Sequence, residues 1–515
     1  MICVDIQPYS VVSDLGFQRL LKKIVPNYNI PSRKYFSENI IPDIFQKVQL
    51  KIQKAIYDAK YISLTADIWT ATTNNSPFLS VTAHWLKDDF QQERAVLRIV
   101  PFEGSHTATR ISEQINIVLE QYKLTSDKIF LVLRDSAANM VAGIRNCNLE
   151  ALSCFIHTLQ LTLNECIFSQ QDVKTIITVN RNIVTHFNHS AVAVSKLEDL
   201  QEKLGLQKHK LIQDVPTRWN STYYMLQRNL EQQKALVTYA IDNKIPTLSP
   251  YQWSLIEKIV LLLKPFEEIT MEASKRETTS SSIIPTIKTL KLFLSKAKSS
   301  SSFSGINTTI EKLENSIKKR FSAYIENKSL CLSSLLDTRF KIKFQKEDMV
   351  EEIKRWAIDS LEDVDNSKSQ EKLNFEVSTS GDDEDGGESL SFSNLFDELA
   401  SGKRKNEEEH VFKKKEKAKE MNKRFDQELE TYLHLPLKQR HSDPFLWWRS
   451  SKELFPNLSE LAMKYLSAPA SSIESERIFS TGGNIYEPAR NRLCPENGEI
   501  LMFLHYNLRV LQFEY

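Results

Sequence analysis

Three acidic residues of this sequence could form one catalytic site if the fold brings their carboxylates together. Asp67 lies in a stretch that alternates apolar and small polar residues, as a β-strand does, and Asp135 directly follows a fully apolar run. If these two strands are neighbours, their carboxylates meet at one edge of the sheet. Glu476 lies far along the chain, in a predicted helix that begins at Ser471 or Ser472, and could supply a third acid.

Each acid also has a structural explanation that the sequence leaves open. Asp67 could form a turn at the end of its strand, and Asp135 could cap the helix predicted at 136–140. Glu476 could be a solvated acid on the polar face of an amphipathic helix. The occurrence of both aspartates on strands, together with a carboxylate on a late helix, favours a shared site over three unrelated roles.

The strands that must position these acids are predicted from hydrophobic periodicity. Residues 61–69, 79–86 and 94–102 are strand-like and are joined by turn-forming segments, which predicts an antiparallel meander. An amphipathic helix over 107–122 follows, and the strand 129–133 is apolar on both faces, which is typical of the middle of a sheet. This order of elements is that of the ribonuclease H fold, so we predict an α/β core with a mixed sheet.

Most of the remaining chain is predicted to be helical. Residues 1–60 carry apolar residues at helical spacing, and from about residue 165 to about 360 amphipathic segments follow one another without a fixed repeat period. Residues 365–405 are rich in serine, glycine and acids, which is typical of a disordered linker. Apolar residues become frequent again from Arg424 to Tyr515, with more aromatic surface than one helix can cover.

The composition restricts the class of protein. With 515 residues the chain is long enough for several domains, and 41% hydrophobic residues are ordinary for a globular protein. The net charge of +1 gives no overall basic field, so any DNA-binding surface has to be local. Six scattered cysteines without a Cys-x-x-Cys pair indicate a reducing compartment, and no apolar run approaches the ~20 residues of a membrane span. We therefore expect an intracellular protein with no membrane partner.

Two further motifs have both a functional and a structural interpretation. Cys154-x-x-His157 is half of a zinc set without a second pair at matching spacing, so the alternative is a buried, hydrogen-bonded histidine. Arg218 and Trp219 place a cation beside an indole. An exposed tryptophan can stack on an extruded base, a contact worth ~1–3 kcal/mol, while Arg218 holds the adjacent phosphate. The alternative for Trp219 is a residue of the core.

The three acids lie in motifs that resemble those of hAT-superfamily transposases and their domesticated BED-finger relatives. Leu64-Thr-Ala-Asp-Ile-Trp69 is similar to the family's first-acid motif, and Arg134-Asp-Ser-Ala-Ala-Asn-Met140 is similar to the second. Ser475-Glu-Arg-Ile-Phe-Ser480 is similar to the C-terminal signature, and the third acid matches Glu476, not Glu474. The family more often has Asn where this chain has Ser136, which is a mild departure.

The resemblance implies a fold and a chemistry. The fold is a ribonuclease H-like α/β core with a mixed sheet, interrupted by a large all-α insertion domain and followed by a C-terminal helical hAT dimerisation region. Asp67, Asp135 and Glu476 would hold two Mg²⁺ or Mn²⁺ ions for DNA strand cleavage and transfer. His157 would lie near the scissile phosphate, and Trp219 would stabilise a flipped flanking base. The implied partners are DNA and further copies of the chain, as a homodimer or a higher oligomer.

The resemblance also divides the chain into segments. The BED zinc finger expected before the core has no matching Cys and His spacing here, so we expect none in this chain. Lys403-Arg-Lys405 and Lys413-Lys-Lys415 could form a nuclear-import signal or a solvated helix, and we expect a nuclear protein. The predicted segments are an N-terminal helical segment 1–60, the first part of the core 61–165, the helical insertion 166–363, a disordered acidic and basic linker 364–420, and a dimerisation region 421–515 that carries the third acid.

Two other functions stay open. The chain could be a domesticated, catalytically silent regulator that dimerises through its C-terminal region and binds DNA or chromatin. It could also be a ribonuclease H-like nuclease that acts on RNA hybrids, although the Trp219 and Glu476 motifs have no place in such an enzyme. The sequence thus predicts a DNA transposase if the three acids are active, and does not establish an enzyme.

Overall fold

The computed structural model describes residues 1–70, 77–102, 104–363, 422–486 and 493–514. Both basic runs and nearly all of the predicted linker lie outside these residues. Strands in the described part of the chain are β1 Ile62–Thr70, β2 Pro77–Leu86, β3 Gln92–Pro101, β4 Ile129–Arg134 and β5 Ala151–Ser153. They form a mixed sheet in the order β3–β2–β1–β4–β5, in which β1, β2 and β3 are antiparallel and β4 and β5 run parallel to β1. The prediction of an antiparallel meander within a mixed sheet is confirmed.

Two of the three inner strands, β4 and β1, differ in how their side chains are distributed. β4 is the fully apolar run, and it is buried along its whole length between β1 and β5. β1 alternates instead, with Leu64 and Ala66 on one face and Ser63, Thr65 and Asp67 on the other. All five residues are buried. Because buried polar groups need hydrogen-bond partners, the polar face of β1 requires a polar neighbour from another element.

Helices make up most of the rest of the described chain. The N-terminal part contains Leu15–Ile24 and Ile41–Asp58, and the sheet is accompanied by Ala108–Gln121 and Ala138–Asn146. A long helical stretch follows, formed by Phe155–Leu163, Gln171–Asn188, Ala191–Lys203, Trp219–Glu231, Gln233–Asp242, Pro250–Ala273, Ile283–Ser299, Asn307–Ile325, Lys328–Leu336 and 350–363. The C-terminal helices are 422–434, Pro444–Ser451, Pro456–Tyr465, Ile473–Ile485 and Pro495–Val510. No helix of the described residues has both the length and the apolar character to cross a membrane.

The last helices of the chain return to the sheet. Phe503 packs on Phe45 of the N-terminal helix Ile41–Asp58, with ring centroids 4.7 Å apart. The Asn507 side chain donates to the carbonyl of Val96 and accepts from its amide, each at 2.9 Å. Because β3 is an edge strand, these two hydrogen bonds satisfy backbone groups that would otherwise be open to another chain. The last two helices, Ile473–Ile485 and Pro495–Val510, are therefore part of the same core as β1, β2 and β3.

The segment Leu335-Leu-Asp-Thr-Arg-Phe-Lys341 joins the helical stretch to the C-terminal region. Asp337 is fully buried and accepts from the Ser281 hydroxyl at 2.6 Å and from the Arg339 guanidinium. The Lys341 ammonium is also buried and donates to the carbonyls of Tyr432 and Leu435. This pattern therefore has a structural role, since it ties the two parts of the chain together through buried, charge-assisted hydrogen bonds.

Replacing Lys341 with Met should destabilise the protein, because the carbonyls of Tyr432 and Leu435 lose the hydrogen bonds that the buried ammonium donates. We expect a loss of about 1–3 kcal/mol in the free energy of unfolding, the cost of leaving buried polar groups unsatisfied. Urea unfolding followed by circular dichroism measures this change. Lys343→Met is the matched control, because Lys343 is exposed. Equal effects of the two substitutions would contradict the structural role of Lys341.

Candidate active site

Asp67 and Asp135 occupy matching positions on neighbouring strands. The parallel pairing of β1 and β4 aligns Ala66 with Arg134, so the two aspartates form the next pair along the strands. Neighbouring strands lie about 4.8 Å apart, and residues in register direct their side chains to the same face. The fold therefore brings the first two predicted acids side by side at the carboxyl ends of parallel strands.

The helix Ile473–Ile485 lies along the same face of the sheet. The hydroxyl of Ser475 is 3.2 Å from that of Thr65, and the Phe479 ring stacks on Trp69 with centroids 5.5 Å apart. Thr65 and Trp69 are four residues apart on β1, and Ser475 and Phe479 are one helical turn apart. The helix is thus held at two points against the polar face of β1.

This placement brings Glu476 to the level of Asp67. Asp67 lies between the two contact points on β1, and Glu476 lies between the two contact points on the helix. A glycine makes the close approach possible, because a Cβ at Gly482 would lie 2.9 Å from the Trp69 ring. The three predicted acids are therefore brought together by β1, β4 and one helix.

Electrostatic interactions connect the three acids. Asp67 is 6% exposed, and burial raises the pKa of its carboxyl from 3.8 to about 7. The positive charge of His157 opposes this rise in pKa, whereas the negative charges of Asp135 and Glu476 add to it. Asp135 and Glu476 are only partly buried, so the side of the site opposite Asp67 is open to solvent.

His157 contributes a positive charge to this site. Its pKa is raised to about 9 by its contact with the Cys154 side chain and by the negative charges of Asp67 and Glu476, against the opposite effect of burial. Its Nδ1 atom is buried and has no hydrogen-bond partner among the described residues. The Cys154 sulfur accepts from the amide of Ser472, at the start of the Glu476 helix, at 3.4 Å. The Cys-x-x-His motif therefore connects the third acid to the sheet.

The donor atoms fit a divalent cation in type but are not gathered around one point. Carboxylate oxygens are the ligands that Mg²⁺ and Mn²⁺ prefer. Within the described ranges, however, no group of three or more His, Cys, Asp or Glu side chains is arranged to hold a metal ion. One oxygen of Asp67 accepts from the amide of Ile68 at 2.9 Å, and one oxygen of Asp135 accepts from that of Ala137 at 3.1 Å. Binding of an ion would therefore require these carboxylates to turn toward Glu476.

Glu474 has a different environment from Glu476, although it lies only two residues away. It is buried, and its carboxylate accepts from Arg276 at 3.2 Å, from Arg477 and from the Tyr506 hydroxyl. Burial raises the pKa of Glu474, but these donors outweigh it and lower the pKa below its usual value. Glu474 is thus an ionised structural residue. No local pattern identifies Arg276 as its partner, because Arg276 lies 198 residues away in the chain.

Trp219 and Arg218 lie beside the helix that carries His157. Gln160 of that helix donates to the carbonyl of Thr217 at 3.0 Å. Arg218 is exposed, whereas Trp219 is 4% exposed, and its indole N–H is buried without a hydrogen-bond partner among the described residues. The ring therefore packs in the core and does not present a free face. Stacking on a base would require the segment around Trp219 to move.

The segment before Trp219 is held by a buried ion pair. The side chain of Asp214 is fully buried and forms an ion pair with Arg181 at 2.6 Å. It also accepts a hydrogen bond from the Thr222 hydroxyl at 2.8 Å. These bonds tie Asp214 to two helices, Gln171–Asn188 and Trp219–Glu231. The position of Arg218 next to the His157 helix is therefore set by the fold and does not depend on a ligand.

Three family models match this chain. The ZBED1 RNase-like domain matches residues 65–153, the ZBED1 RNase-like helical domain matches 152–262, and the hAT family C-terminal dimerisation region matches 428–508. The first match contains Asp67 and Asp135, and the last contains Glu476. These matches confirm the resemblance to hAT-type proteins that the motifs predict.

Curated relatives include BED-finger proteins and transposases. Zinc finger BED domain-containing protein 4 of Homo sapiens is 28% identical over 527 residues, which cover 100% of this chain and 43% of the relative. Zinc finger BED domain-containing protein 6 of Homo sapiens is 26% identical, covering 100% of this chain and 55% of the relative. An AC transposase of Zea mays is 24% identical, covering 96% and 62%. The chain spans about half the length of these relatives.

Replacing Asp67 with Asn should stabilise the metal-free protein more at pH 8 than at pH 5. The folded state holds the Asp67 proton more tightly than the unfolded state, since the pKa of about 7 lies above the ordinary 3.8. The wild type therefore loses stability as the pH rises from about 4 through 7, and Asn avoids this loss. Thermal unfolding in a chelating buffer at both pH values measures the difference, which we expect to be several degrees in Tm.

Asp172→Asn is the control for this experiment, because Asp172 is exposed on the helix Gln171–Asn188, outside the site. Its effect on Tm should be small and similar at both pH values. An equal gain of Asp67→Asn at pH 5 and pH 8 would mean that Asp67 ionises normally in the folded chain, and would contradict its burial among other acids.

Proposed function

We propose that this chain, which carries the hAT family C-terminal dimerisation region and the ZBED1 RNase-like domains, is a transposase-like protein that dimerises and binds DNA. We further propose that its ribonuclease H-like core uses Asp67, Asp135 and Glu476 for metal-assisted cleavage and transfer of DNA strands. The observation that carries this proposal is the alignment of Asp67 and Asp135 on neighbouring strands, with Glu476 held at the same level by the contacts of Ser475 and Phe479.

The three acids would hold two Mg²⁺ or Mn²⁺ ions. Such ions supply an activated water or 3′-hydroxyl nucleophile and stabilise the oxygen that leaves. Asp67 lies on β1, Asp135 directly follows the last residue of β4, and Glu476 lies on a packed helix, so packed elements hold the backbone at or beside all three carboxylates. Only their side chains need to turn. Rigid placement of catalytic groups lowers the barrier because less entropy is lost when the substrate binds.

The other predicted site residues would bind the DNA backbone. His157 is protonated at neutral pH because its pKa is about 9, so it can donate a charge-assisted hydrogen bond to a phosphate oxygen beside the acids. Arg218 is exposed next to the helix that carries His157, where it can contact a neighbouring phosphate. Trp219 would stack on an extruded base only after its segment moves out of the core.

Self-association through the C-terminal region is the second part of the proposal. Leu446 on the helix Pro444–Ser451 is 58% exposed, and Leu454, just after that helix, is 70% exposed. Both lie within the matched dimerisation region 428–508. Exposed leucines rimmed by polar residues are typical of association surfaces. A homodimer or a higher oligomer would bury them, and the relatives support a nuclear location for such a protein.

A catalytically silent regulator of DNA or chromatin is the second candidate function. The observation that favours it is that the described residues contain no group of side chains already arranged to hold a metal ion. In this alternative the chain keeps the fold, the dimerisation region and the positive charge of His157, but binds DNA without cleaving it. The two candidates differ in one measurable property, which is metal-dependent nicking.

Wild-type protein should nick supercoiled plasmid DNA in the presence of Mn²⁺ or Mg²⁺, and Asp135→Asn and Glu476→Gln should each reduce nicking to background. A two-ion site needs all of its carboxylates, so removal of one is expected to abolish the chemistry. Gel electrophoresis of nicked and supercoiled plasmid measures the rate. Asp172→Asn and Glu113→Gln are the matched controls, because both residues are exposed on helices outside the site and should retain wild-type rates.

Nicking that survives both Asp135→Asn and Glu476→Gln would refute the assignment of the acids. A folded, dimeric wild type that does not nick DNA with either metal would favour the silent regulator instead.

Leu446→Glu together with Leu454→Glu should weaken self-association, because two carboxylates would have to be buried in the contact. We expect at least a tenfold increase in the dissociation constant, measured by analytical ultracentrifugation. Leu292→Glu is the control, since Leu292 is similarly exposed on the insertion helix Ile283–Ser299. An unchanged oligomer in the double variant would show that the contact surface lies elsewhere.

A further inference from the structure

A cavity of about 490 Å³ lies at the β3 side of the sheet, away from the three acids. The start of β3, the helix Ile473–Ile485 and the helix Pro495–Val510 form its walls. Four arginines line it, and they come from four different parts of the chain: Arg94, Arg276, Arg477 and Arg509. Cavities of this size commonly hold small-molecule or cofactor-sized ligands.

Positive charge exceeds negative charge in this cavity. Glu474 is the buried carboxylate that pairs with Arg276 and Arg477. Glu93 also lines the cavity, but its carboxylate is 2.5 Å from the Lys87 ammonium and so is already compensated. His505 adds no charge at neutral pH, since burial and the neighbouring Arg509 lower its pKa. The four guanidinium groups therefore carry an excess of about three positive charges, which an anion would compensate.

Glu474 also fixes the direction of two of the guanidinium groups. Arg276 donates to Glu474 through Nε at 3.2 Å, which leaves its terminal nitrogens available to other acceptors. Arg477 donates to Glu474 and, at 2.8 Å, to the carbonyl of Ser274. Because both arginines are held by a buried carboxylate, little side-chain entropy would be lost when an anion binds.

Arg94 supplies an unused donor inside the protein. Its Nε atom is buried and has no hydrogen-bond partner among the described residues. A buried guanidinium N–H without an acceptor costs free energy, so such a group indicates an acceptor that is absent here. Arg509 is exposed at the mouth of the cavity and hydrogen-bonds the carbonyl of Val4 at 2.9 Å.

We propose that this cavity is a phosphate-binding pocket, in which Arg94, Arg276, Arg477 and Arg509 bind the oxyanions of a phosphodiester or a polyphosphate. The planar guanidinium group donates two parallel hydrogen bonds to phosphate, and for this reason arginine predominates where phosphate is recognised. The pocket lies outside the Asp67, Asp135 and Glu476 site, and it would hold a second phosphate group without a role in chemistry.

The position of the pocket favours the DNA backbone as the source of this phosphate, an assignment that rests on the proposed function. Ser63, His84 and Arg94 form one row across β1, β2 and β3, on the face that also carries Asp67. Arg94 is two strands from β1, and Asp67 is four residues along β1 from Ser63, which gives a separation of roughly 16 Å. That length corresponds to about five base pairs of duplex DNA. The helix Ile473–Ile485 covers this face between the two positions, so DNA bound at the acids would pass around this helix to reach the pocket that Arg477 lines.

Arg94→Gln together with Arg509→Gln tests the pocket without leaving Glu474 unpaired. Isothermal titration of the full chain with tripolyphosphate, in a metal-free buffer, should show wild-type binding and at least a tenfold loss of affinity in the double variant. Fluorescence anisotropy with a duplex oligonucleotide should show weaker binding and a salt dependence reduced by one to two ion pairs, as expected when about two phosphate contacts are lost.

Arg19→Gln together with Arg355→Gln is the matched control, because both residues are exposed and neither lines the pocket. Thermal unfolding verifies that each variant is folded.

The outcomes separate the two phosphate sources and the proposed function. Loss of both tripolyphosphate and DNA binding supports the pocket as a contact for the DNA backbone. Loss of tripolyphosphate binding alone supports a pocket for a free polyphosphate and refutes the DNA assignment. Wild-type affinity for both probes in a folded double variant overturns the proposal. The catalytic proposal can be refuted separately from the pocket. Glu476→Gln should leave the affinity for tripolyphosphate within twofold of wild type, whether or not the protein nicks DNA.

Discussion

The structure depends on buried hydroxyl contacts between β1 and the segment 467–476. The Ser63 hydroxyl is 2.8 Å from that of Ser467, and the Thr65 hydroxyl is 3.2 Å from that of Ser475. Thr65 also contacts the Thr82 hydroxyl at 2.6 Å, and Ser467 donates to the carbonyl of Lys464 at 2.7 Å, so the contact is part of a buried polar network. An apolar helix face could slide on an apolar strand, whereas paired hydroxyls fix one position. This contact therefore sets the register between the middle of the sheet and a helix that lies some 400 residues later.

That register gives two neighbouring glutamates different roles. Glu474 and Glu476 are two residues apart, which is about 200° around a helix axis, so their side chains point to opposite sides of the helix Ile473–Ile485. Glu474 is buried on the side of β3 and holds two arginines of the cavity. Glu476 is partly exposed on the side of Asp67 and raises the pKa of that carboxyl. One helix thus supplies both a structural anion and a candidate catalytic acid.

The long helical stretch stabilises the loop that leads into this helix. The amide of Ser280 donates to the carbonyl of Ala468 at 2.9 Å, and that of Ala470 donates to the carbonyl of Thr278 at 3.0 Å. The Ser471 hydroxyl donates to the carbonyl of Ala273, also at 2.9 Å. These bonds connect the end of the long helix Pro250–Ala273 to the start of the Glu476 helix.

The sequence by itself predicted four of the five described strands and the antiparallel meander, but not the short strand β5, and it singled out Asp67 and Asp135 as candidate acids. Alternation along 61–69 and the fully apolar run 129–133 are local patterns, because a half-buried strand and a strand covered on both faces require different side chains at every position. The C-terminal motif also predicted that the third acid is Glu476 and not Glu474. The surroundings of side chains that contact distant partners could not be predicted from the sequence. No local pattern shows which residues meet across hundreds of positions.

Tertiary structure alone decided the surroundings of the individual side chains. The sequence interpretation of Trp219 required an exposed ring, yet the ring is buried, because the ion pair between Asp214 and Arg181 holds its segment against the insertion. The arginine-lined cavity could not be predicted either, since Arg94 and Arg276 lie in stretches without any shared motif. Local sequence fixes which face of a strand or helix is apolar, whereas burial and charge at one site result from the packing of elements that are distant in the chain.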